Sequence, residues 1–341
     1  MAQAAPAAIG ECPTAPPDSA GPPVSESWSV DGRCHPSPAL GAWGYRSYRE
    51  HLRDRFPGRR IRKLCLQAGF TCPNRDGTRG HSGCTFCDNA AFAPGLGFPS
   101  LQVQWDKGRT ALRERHGAVD GFIAYFQSFS NTYAPVADLQ RVYDRASEQL
   151  PECVGIAIGT RPDCVPDPVL DYLQQLGRRT FLTLELGLQS DRDAVLRRIH
   201  RGHDVRCFLD AVARAAGRGF ELCAHVILGL PGEGEDAPER LGALLASIAV
   251  ESVKIHNLHV VRGTLLAEAH GLGNLPLPTR AAYLDAVDRL LRRLRPDQAV
   301  QRLIADAPDR LLLGPGWCHD KQGLLAELRG RRGDKMRPLR A

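Results

Sequence analysis

The 341-residue chain has no uninterrupted run of the roughly 20 apolar residues that a membrane-spanning helix needs, so no membrane partner is expected. It opens MAQAAPAAIGECPTAPP, with neither a basic n-region nor an apolar h-region, and no secretory signal is legible. No repeat of fixed period is evident, which argues against solenoids and propellers. An odd total of eleven cysteines, without a signal, argues against a disulfide framework. Reduced thiols of this kind point to the cytoplasm.

What is present is ordinary in bulk and uneven in placement. Hydrophobic residues make up 43% and charged residues 24%, the balance of a globular protein with a sizeable core. Net charge is +6 with a pI near 8.8. Arg46, Arg49, Arg53, Arg55, Arg59, Arg60, Arg62 and Lys63 crowd one segment. Arg329, Arg331, Arg332, Lys335, Arg337 and Arg340 crowd the C-terminus against one acid, Asp334. Such clusters are either solvated faces or the footprint of a polyanionic substrate such as RNA.

Residues 1–44 are rich in Ala, Pro, Gly and Ser and are expected to form a disordered leader. From 45 to about 310 the chain alternates short apolar runs with helical patterns. The runs are Ile61–Gln67, Gly121–Phe126, Val154–Ile158, Thr180–Leu186, Glu221–Leu228 and Val253–Ile255. Each is nearly continuous in hydrophobicity, as buried parallel strands are, and six strand and helix units predict a parallel α/β sheet. A polar or glycine-rich loop follows every strand, and barrel enzymes build their sites from such loops. Residues 311–341 are expected to form a C-terminal extension with a basic tail.

The first of these loops concentrates the chemistry. GFTCPNRDGTRGHSGCTFCDN, from Gly69 to Asn89, spaces Cys72, Cys84 and Cys87 as C-x11-C-x2-C. Three thiolates from one loop suit an iron–sulfur cluster with one iron left open. With His81 the same loop reads as a Cys3His zinc site, which would be closed and structural and would make the chain a zinc-stapled RNA-binding module without catalysis. Cys153, Cys164, Cys207, Cys223 and Cys318 show no tight Cys-x-x-Cys spacing for a second centre.

Six stretches taken together carry a resemblance: GFTCPNRDGTRGHSGCTFC, GTRPDCVPD, LELGLQS, RIHRGHD, LGLPGE and KIHNLHVVRGT. In this order they resemble the elongator-catalytic-subunit-like branch of the radical SAM superfamily, and more closely a smaller bacterial family without the acetyltransferase half. The cysteine spacing departs from the commoner C-x3-C-x2-C, and a glycine-rich loop of that branch is replaced here by the segment between Tyr125 and Tyr133. The resemblance implies a partial (β/α)6 barrel of TIM type. It implies a [4Fe–4S] cluster on Cys72, Cys84 and Cys87, with S-adenosylmethionine on the open iron and cleaved reductively to a 5′-deoxyadenosyl radical.

It further implies that Phe86 lies near the adenine, that Gln189 and Arg201 hold ribose and carboxylate, and that Glu185 serves the ribose or the amino group or else is a buried carboxylate paired with a barrel arginine. Gly229–Glu233 resembles an adenine platform or is simply a turn. Arg161 and Asp163 read as an ion pair or a substrate contact. His256, His259 and Cys318 are the candidates for catalysis, Cys318 as a hydrogen donor. The implied substrate is a wobble uridine of tRNA, with a small metabolite or cofactor precursor as the alternative, and the implied reducing partner is a flavodoxin or ferredoxin.

Overall fold

The structure is a computed structural model that describes residues 44–88, 100–305 and 307–336. The leader expected at 1–44 falls outside these residues but for Gly44. The chain enters through β1 (Arg46–Ser47) and α1 (Tyr48–Arg55), whose start is fixed by a capping box: the Glu50 backbone N–H donates to Ser47 Oγ and the Ser47 N–H donates to the Glu50 carboxylate. There follow β2 (Ile61–Leu66), α2 (Leu101–His116), β3 (Gly121–Phe126), α3 (Val136–Gln149), β4 (Cys153–Thr160), α4 (Asp167–Gly177) and β5 (Phe181–Gln189). The second half comprises α5 (Asp193–Arg198), α6 (Val205–Ala215), β6 (Glu221–Leu228), α7 (Ala237–Ser247), β7 (Ser252–Asn257), β8 (Val260–Val261), α8 (Leu265–Gly271), α9 (Arg280–Leu291), β9 (Ala299–Arg302), β10 (Leu312–Gly314) and α10 (Lys321–Met336).

Eight strands form one parallel sheet in the order β1-β9-β7-β6-β5-β4-β3-β2, and β8 and β10 make a small antiparallel pair beside it. The six strands expected from the apolar runs are β2 to β7. The sheet is longer than expected by β9 and β1. Neither shows an apolar run: β1 is two residues and β9 is Ala-Val-Gln-Arg.

Strand β5 shows how the layers divide. Leu182, Leu184, Leu186 and Leu188 point into the core beneath the helices, while Glu185, Gly187 and Gln189 face the cavity on the other side. Its sequence FLTLELGLQ therefore alternates in a way that a purely apolar strand would not. The sheet curls around that inner face. Laid flat, β2 and β7 are five strand spacings apart, about 24 Å. Yet Lys63 of β2 and Lys254 of β7 both donate to the Glu185 carboxylate, each at 2.5 Å. Parallel strands, outer helices and this curl make an open half-barrel, the partial barrel expected.

At the end where the strands begin, α1 closes the barrel. Leu52 packs with Ile61, Ile123 and Ala157, and His51 and Arg55 both bind Glu221 at the start of β6, each at 2.8 Å. The residues from 311 onward include α10, which lays Leu324 and Leu328 into the same core as the sheet.

On the outer face the largest buried side chain is Trp105 of α2. It has no exposed surface, meets Phe122 edge-on at 5.8 Å and donates its indole N–H to the Pro151 carbonyl at 3.0 Å. Trp105→Ala is expected to lower unfolding free energy by about 3–5 kcal/mol in urea titrations. A loss near zero would mean that α2 does not pack on the sheet in this way.

Candidate active site

The loop that leaves β2 is held in shape by its own backbone. Arg75 and Asp76 N–H groups donate to the Cys72 carbonyl, at 2.8 and 3.2 Å, and the Cys87 N–H donates to the Cys84 carbonyl at 3.0 Å. Gly83, at φ +76°, lies where a Cβ would stand 3.1 Å from the Arg75 guanidinium, which itself donates to the Cys87 carbonyl at 2.6 Å. The loop is also tied to the far side of the sheet. Asn74 Nδ2 donates to the carbonyls of His200 and Arg201, and the Thr85 N–H to that of Ile199. These bonds set Cys72, Cys84, Phe86 and Cys87 on the wall of one cavity.

Thiols buried together in one loop do not ionise readily alone. Burial first, and then the neighbouring Cys84, push the Cys87 thiol up to about 11. Bound metal is what turns such a group into thiolates. Among the described residues, the three cysteine sulfurs and His81 do not form a set within 4.8 Å of one another, whereas Glu185, Cys223 and His225 do. A lone tetrahedral zinc, with bonds of about 2.3 Å to sulfur, needs the closer spacing. The cysteine donors fit a cluster better than a single ion.

Gln189 and Arg201 converge on the same cavity. Arg201, buried, donates to the Gly187 carbonyl at 2.8 Å and directs Nη1 at Cys84 Sγ, 3.7 Å away, while its Nε has no partner among the described residues. Gln189 ends β5 in the left-handed region at φ +75°, where the register with β6 slips. A non-glycine residue held there is strained, and such strain gathers at functional sites. A Cβ at Gly187 would stand 2.4 Å from Arg201 Nη2 and 2.5 Å from Gln189 Nε2, so a larger residue there would displace the ends of both side chains. Ser128 Oγ, Ser130 Oγ and His256 Nε2 are also buried without partners among the described residues. Orphaned polar atoms around a cavity of this kind fit a ligand rich in donors and acceptors, as the carboxylate, ammonium and ribose of S-adenosylmethionine are.

Glu185 lies at the floor of the cavity with no exposed surface, held by Lys63, Lys254 and His225 Nε2 at 2.8 Å. Of the two roles considered, the geometry is that of a paired barrel carboxylate, with lysines in place of the arginine expected. Burial pushes its carboxyl up, but Lys254, Lys63 and His225 outweigh burial and hold it well below the usual range. Burial draws Lys254 down to about 8 against the pull of Glu185. Burial and then Lys254 draw His225 down to about 4.

His256 and His259 line the cavity from the end of β7. Cys318 does not: it is buried in the turn before α10 and accepts a hydrogen bond from Asn257 Nδ2 at 3.1 Å, and it is Asn257 that lines the cavity. Arg161 and Asp163 form a buried bidentate ion pair at 2.8 and 2.7 Å, and Arg161 also donates to the Arg201 carbonyl at 2.7 Å, so this pair positions Arg201. Gly229–Glu233 is a turn outside the cavity lining, with Ser190 Oγ donating to Glu233 at 2.5 Å. Tyr125 accepts a hydrogen bond from Lys254 at 2.8 Å, and Tyr133 pairs with Thr78 at 2.9 Å. Arg75, Ser128, Ser130 and Arg302 line the cavity without having stood out in the sequence.

Glu185→Gln is expected to cost about 3–5 kcal/mol at neutral pH, because two ammonium groups are left facing each other without a counter-charge. Replacing Lys254 by Met in the same chain should recover most of the loss. The sign with pH follows from the depressed carboxyl: the stabilisation is full above its ordinary value of 4.5 and is lost as pH falls below it. Urea midpoints from pH 7 to pH 3 measure this, and a constant difference between variant and wild type across that range would contradict it.

Comparison with known proteins places this geometry. Residues 72–245 match the model of the Radical SAM superfamily and residues 250–332 that of the Radical SAM C-terminal domain. The uncharacterized protein YtqA of Bacillus subtilis is 37% identical over 287 residues, covering 83% of this chain and 88% of YtqA. Elongator complex protein 3 of Saccharomyces cerevisiae is 29% identical over 174 residues, covering 50% of this chain and 31% of its own length. The structure of the archaeal Methanocaldococcus infernus Elp3 superposes with a TM-score of 0.58 at 15% identity, over 80% of this chain and 63% of that one. The chain belongs to the radical SAM superfamily and is a radical SAM enzyme, whose cofactors are a [4Fe–4S] cluster and S-adenosylmethionine.

Proposed function

We propose that this enzyme works in the cytoplasm on the side chain of a wobble uridine in tRNA, with electrons supplied by a flavodoxin or ferredoxin. The observation that carries the reading is that five of the six elongator-like stretches supply residues to one cavity: Cys72 to Cys87, Arg161, Glu185 with Gln189, Arg201, and His256 with His259. The similarity to elongator complex protein 3 supports the substrate class, as does the run of basic residues that leads into the cysteine loop.

When bound, the cluster and S-adenosylmethionine supply reductive cleavage of the sulfonium to a 5′-deoxyadenosyl radical, which abstracts hydrogen from a C–H bond. The rest is positioning by this chain. Cys72, Cys84 and Cys87 would hold the cluster, three thiolates that would leave one iron for S-adenosylmethionine. Arg201 offers a fork of donors to a carboxylate. Gln189 suits two ribose hydroxyls, and Phe86 stands with the cysteines where an adenine would stack. His256 faces the substrate as a neutral ring: burial, then Arg302, His225 and Lys254, keep it well below the usual histidine range. It therefore has one donor and one acceptor at neutral pH. An unstacked base of an anticodon loop is read by stacking and by hydrogen bonds of this kind.

Incubation of the reconstituted, reduced protein with S-adenosylmethionine and bulk tRNA from cells lacking the gene should yield 5′-deoxyadenosine together with a uridine of altered mass in the nucleoside digest. Cys87→Ala should yield neither above background. 5′-Deoxyadenosine without any change in the nucleosides would remove tRNA as the substrate and leave the small-metabolite reading.

A further inference from the structure

The inner face of the half-barrel has a second opening, between α1 and the edge strand β2. Among the described residues, six arginines, two lysines and no carboxylate line it. Four of the eight cations have local counterparts: Lys63 and Lys254 hold Glu185, and Arg59 and Arg60 bind the backbone and carboxylate of Asp120. The other four do not. Among the described residues, Arg49, Arg53 and Arg302 make no ion pair or side-chain hydrogen bond, and Arg62 only donates to the neighbouring Ile61 carbonyl at 3.2 Å.

Elsewhere on the surface Arg179, Arg218, Arg240, Arg280 and Arg289 each reach a carboxylate, and arginines such as Arg145 that pair with none among the described residues stand singly; here four are gathered about one opening. Guanidinium groups gathered about one pocket without acids repel one another within the Debye length of about 8 Å. Arg62 registers it: burial, then Arg49 and Arg60, lower its pKa. The pocket adjoins the active-site cavity at one side chain, because Arg302 lines both.

We propose that this pocket is the seat of RNA backbone phosphates, with Arg49, Arg53 and Arg62 gripping phosphates near the target nucleotide and Arg302 standing at the wall the pocket shares with the active-site cavity. Phosphate oxygens match the guanidinium fork, and a row of exposed arginines along an open groove suits a polyanion better than a single small anion. The assignment rests on the tRNA reading above and adds where that substrate is held.

The test is fluorescence anisotropy of a labelled RNA hairpin with a uridine-containing loop, titrated with full-length protein over a salt series. Arg49 and Arg53 are exposed, so R49Q/R53Q is expected to fold as wild type, checked by its thermal melt. It should bind at least about tenfold more weakly, with the slope of log K against log salt smaller by roughly 1.4, two single-strand phosphate contacts. R302Q should weaken binding in the same direction. R141Q/R145Q, which removes equal charge from exposed positions on α3, should bind as wild type.

Wild-type affinity and slope in R49Q/R53Q, or an equal loss in R141Q/R145Q, would overturn the pocket while RNA binding by the wild type would keep the substrate reading alive. No saturable, salt-dependent binding by the wild type would overturn both.

Discussion

One buried carboxylate sets the geometry on which the rest depends. Glu185 stands in the middle strand of the curled sheet and gathers an ammonium from β2, another from β7 and an imidazole from β6. Burying a charge this completely is unfavourable unless its partners are fixed around it. The fold fixes them by curving, so the attraction at the floor and the hydrophobic core outside the sheet act together: leucines of β5 draw the helices onto the convex side, and Glu185 draws the strands together on the concave side. The result is a half-barrel whose lower end is filled and whose upper end is open. The cavity of the cysteines, Gln189 and Arg201 stands above that floor.

Above it the chain makes room and then supplies polar groups. Gly159 and Gly187 leave the strand ends without side chains, and Gly187 lets Arg201 and Gln189 come within contact of the strand backbone. Arg201 is held on two sides, by the Gly187 carbonyl and by the pairing of its own carbonyl with Arg161 and Asn74. The cysteine loop leans on that same carbonyl through Asn74. The group that would bind a carboxylate and the loop that would bind a cluster therefore share one support, and displacing either shifts the other. Catalysis by positioning depends on such shared rigidity.

Much of this was readable before folding was considered, and for physical reasons. Parallel strands covered on both faces leave short, nearly continuous apolar runs, and β2 to β7 show as such. The cysteine loop was conspicuous because cysteines in a polar, glycine-rich segment have no packing role. Strands β1 and β9 were not legible: they are two and four residues long, and β9 ends in Gln301 and Arg302, so their pairing is decided by the sheet edge they complete. Glu185 looked like a ligand contact or a paired carboxylate, and only the curvature, which brings residues 63, 185 and 254 together, decides for the pair. Cys318 and the Gly229–Glu233 turn stood out by composition, yet side-chain direction places both off the cavity wall. The left-handed Gln189 leaves no trace in sequence at all, because strain there is imposed by the register slip beside it.

The central claim is that Cys72, Cys84 and Cys87 hold a four-iron cluster with one iron open to a ligand in the cavity of Gln189 and Arg201. Electron paramagnetic resonance of the anaerobically reconstituted and reduced protein, recorded with and without S-adenosylmethionine, tests it most directly. The account predicts about four irons per chain and a reduced-cluster signal whose shape changes when S-adenosylmethionine is added, with the signal lost in Cys84→Ala. A colourless protein that retains zinc, or a cluster signal indifferent to S-adenosylmethionine, would contradict it.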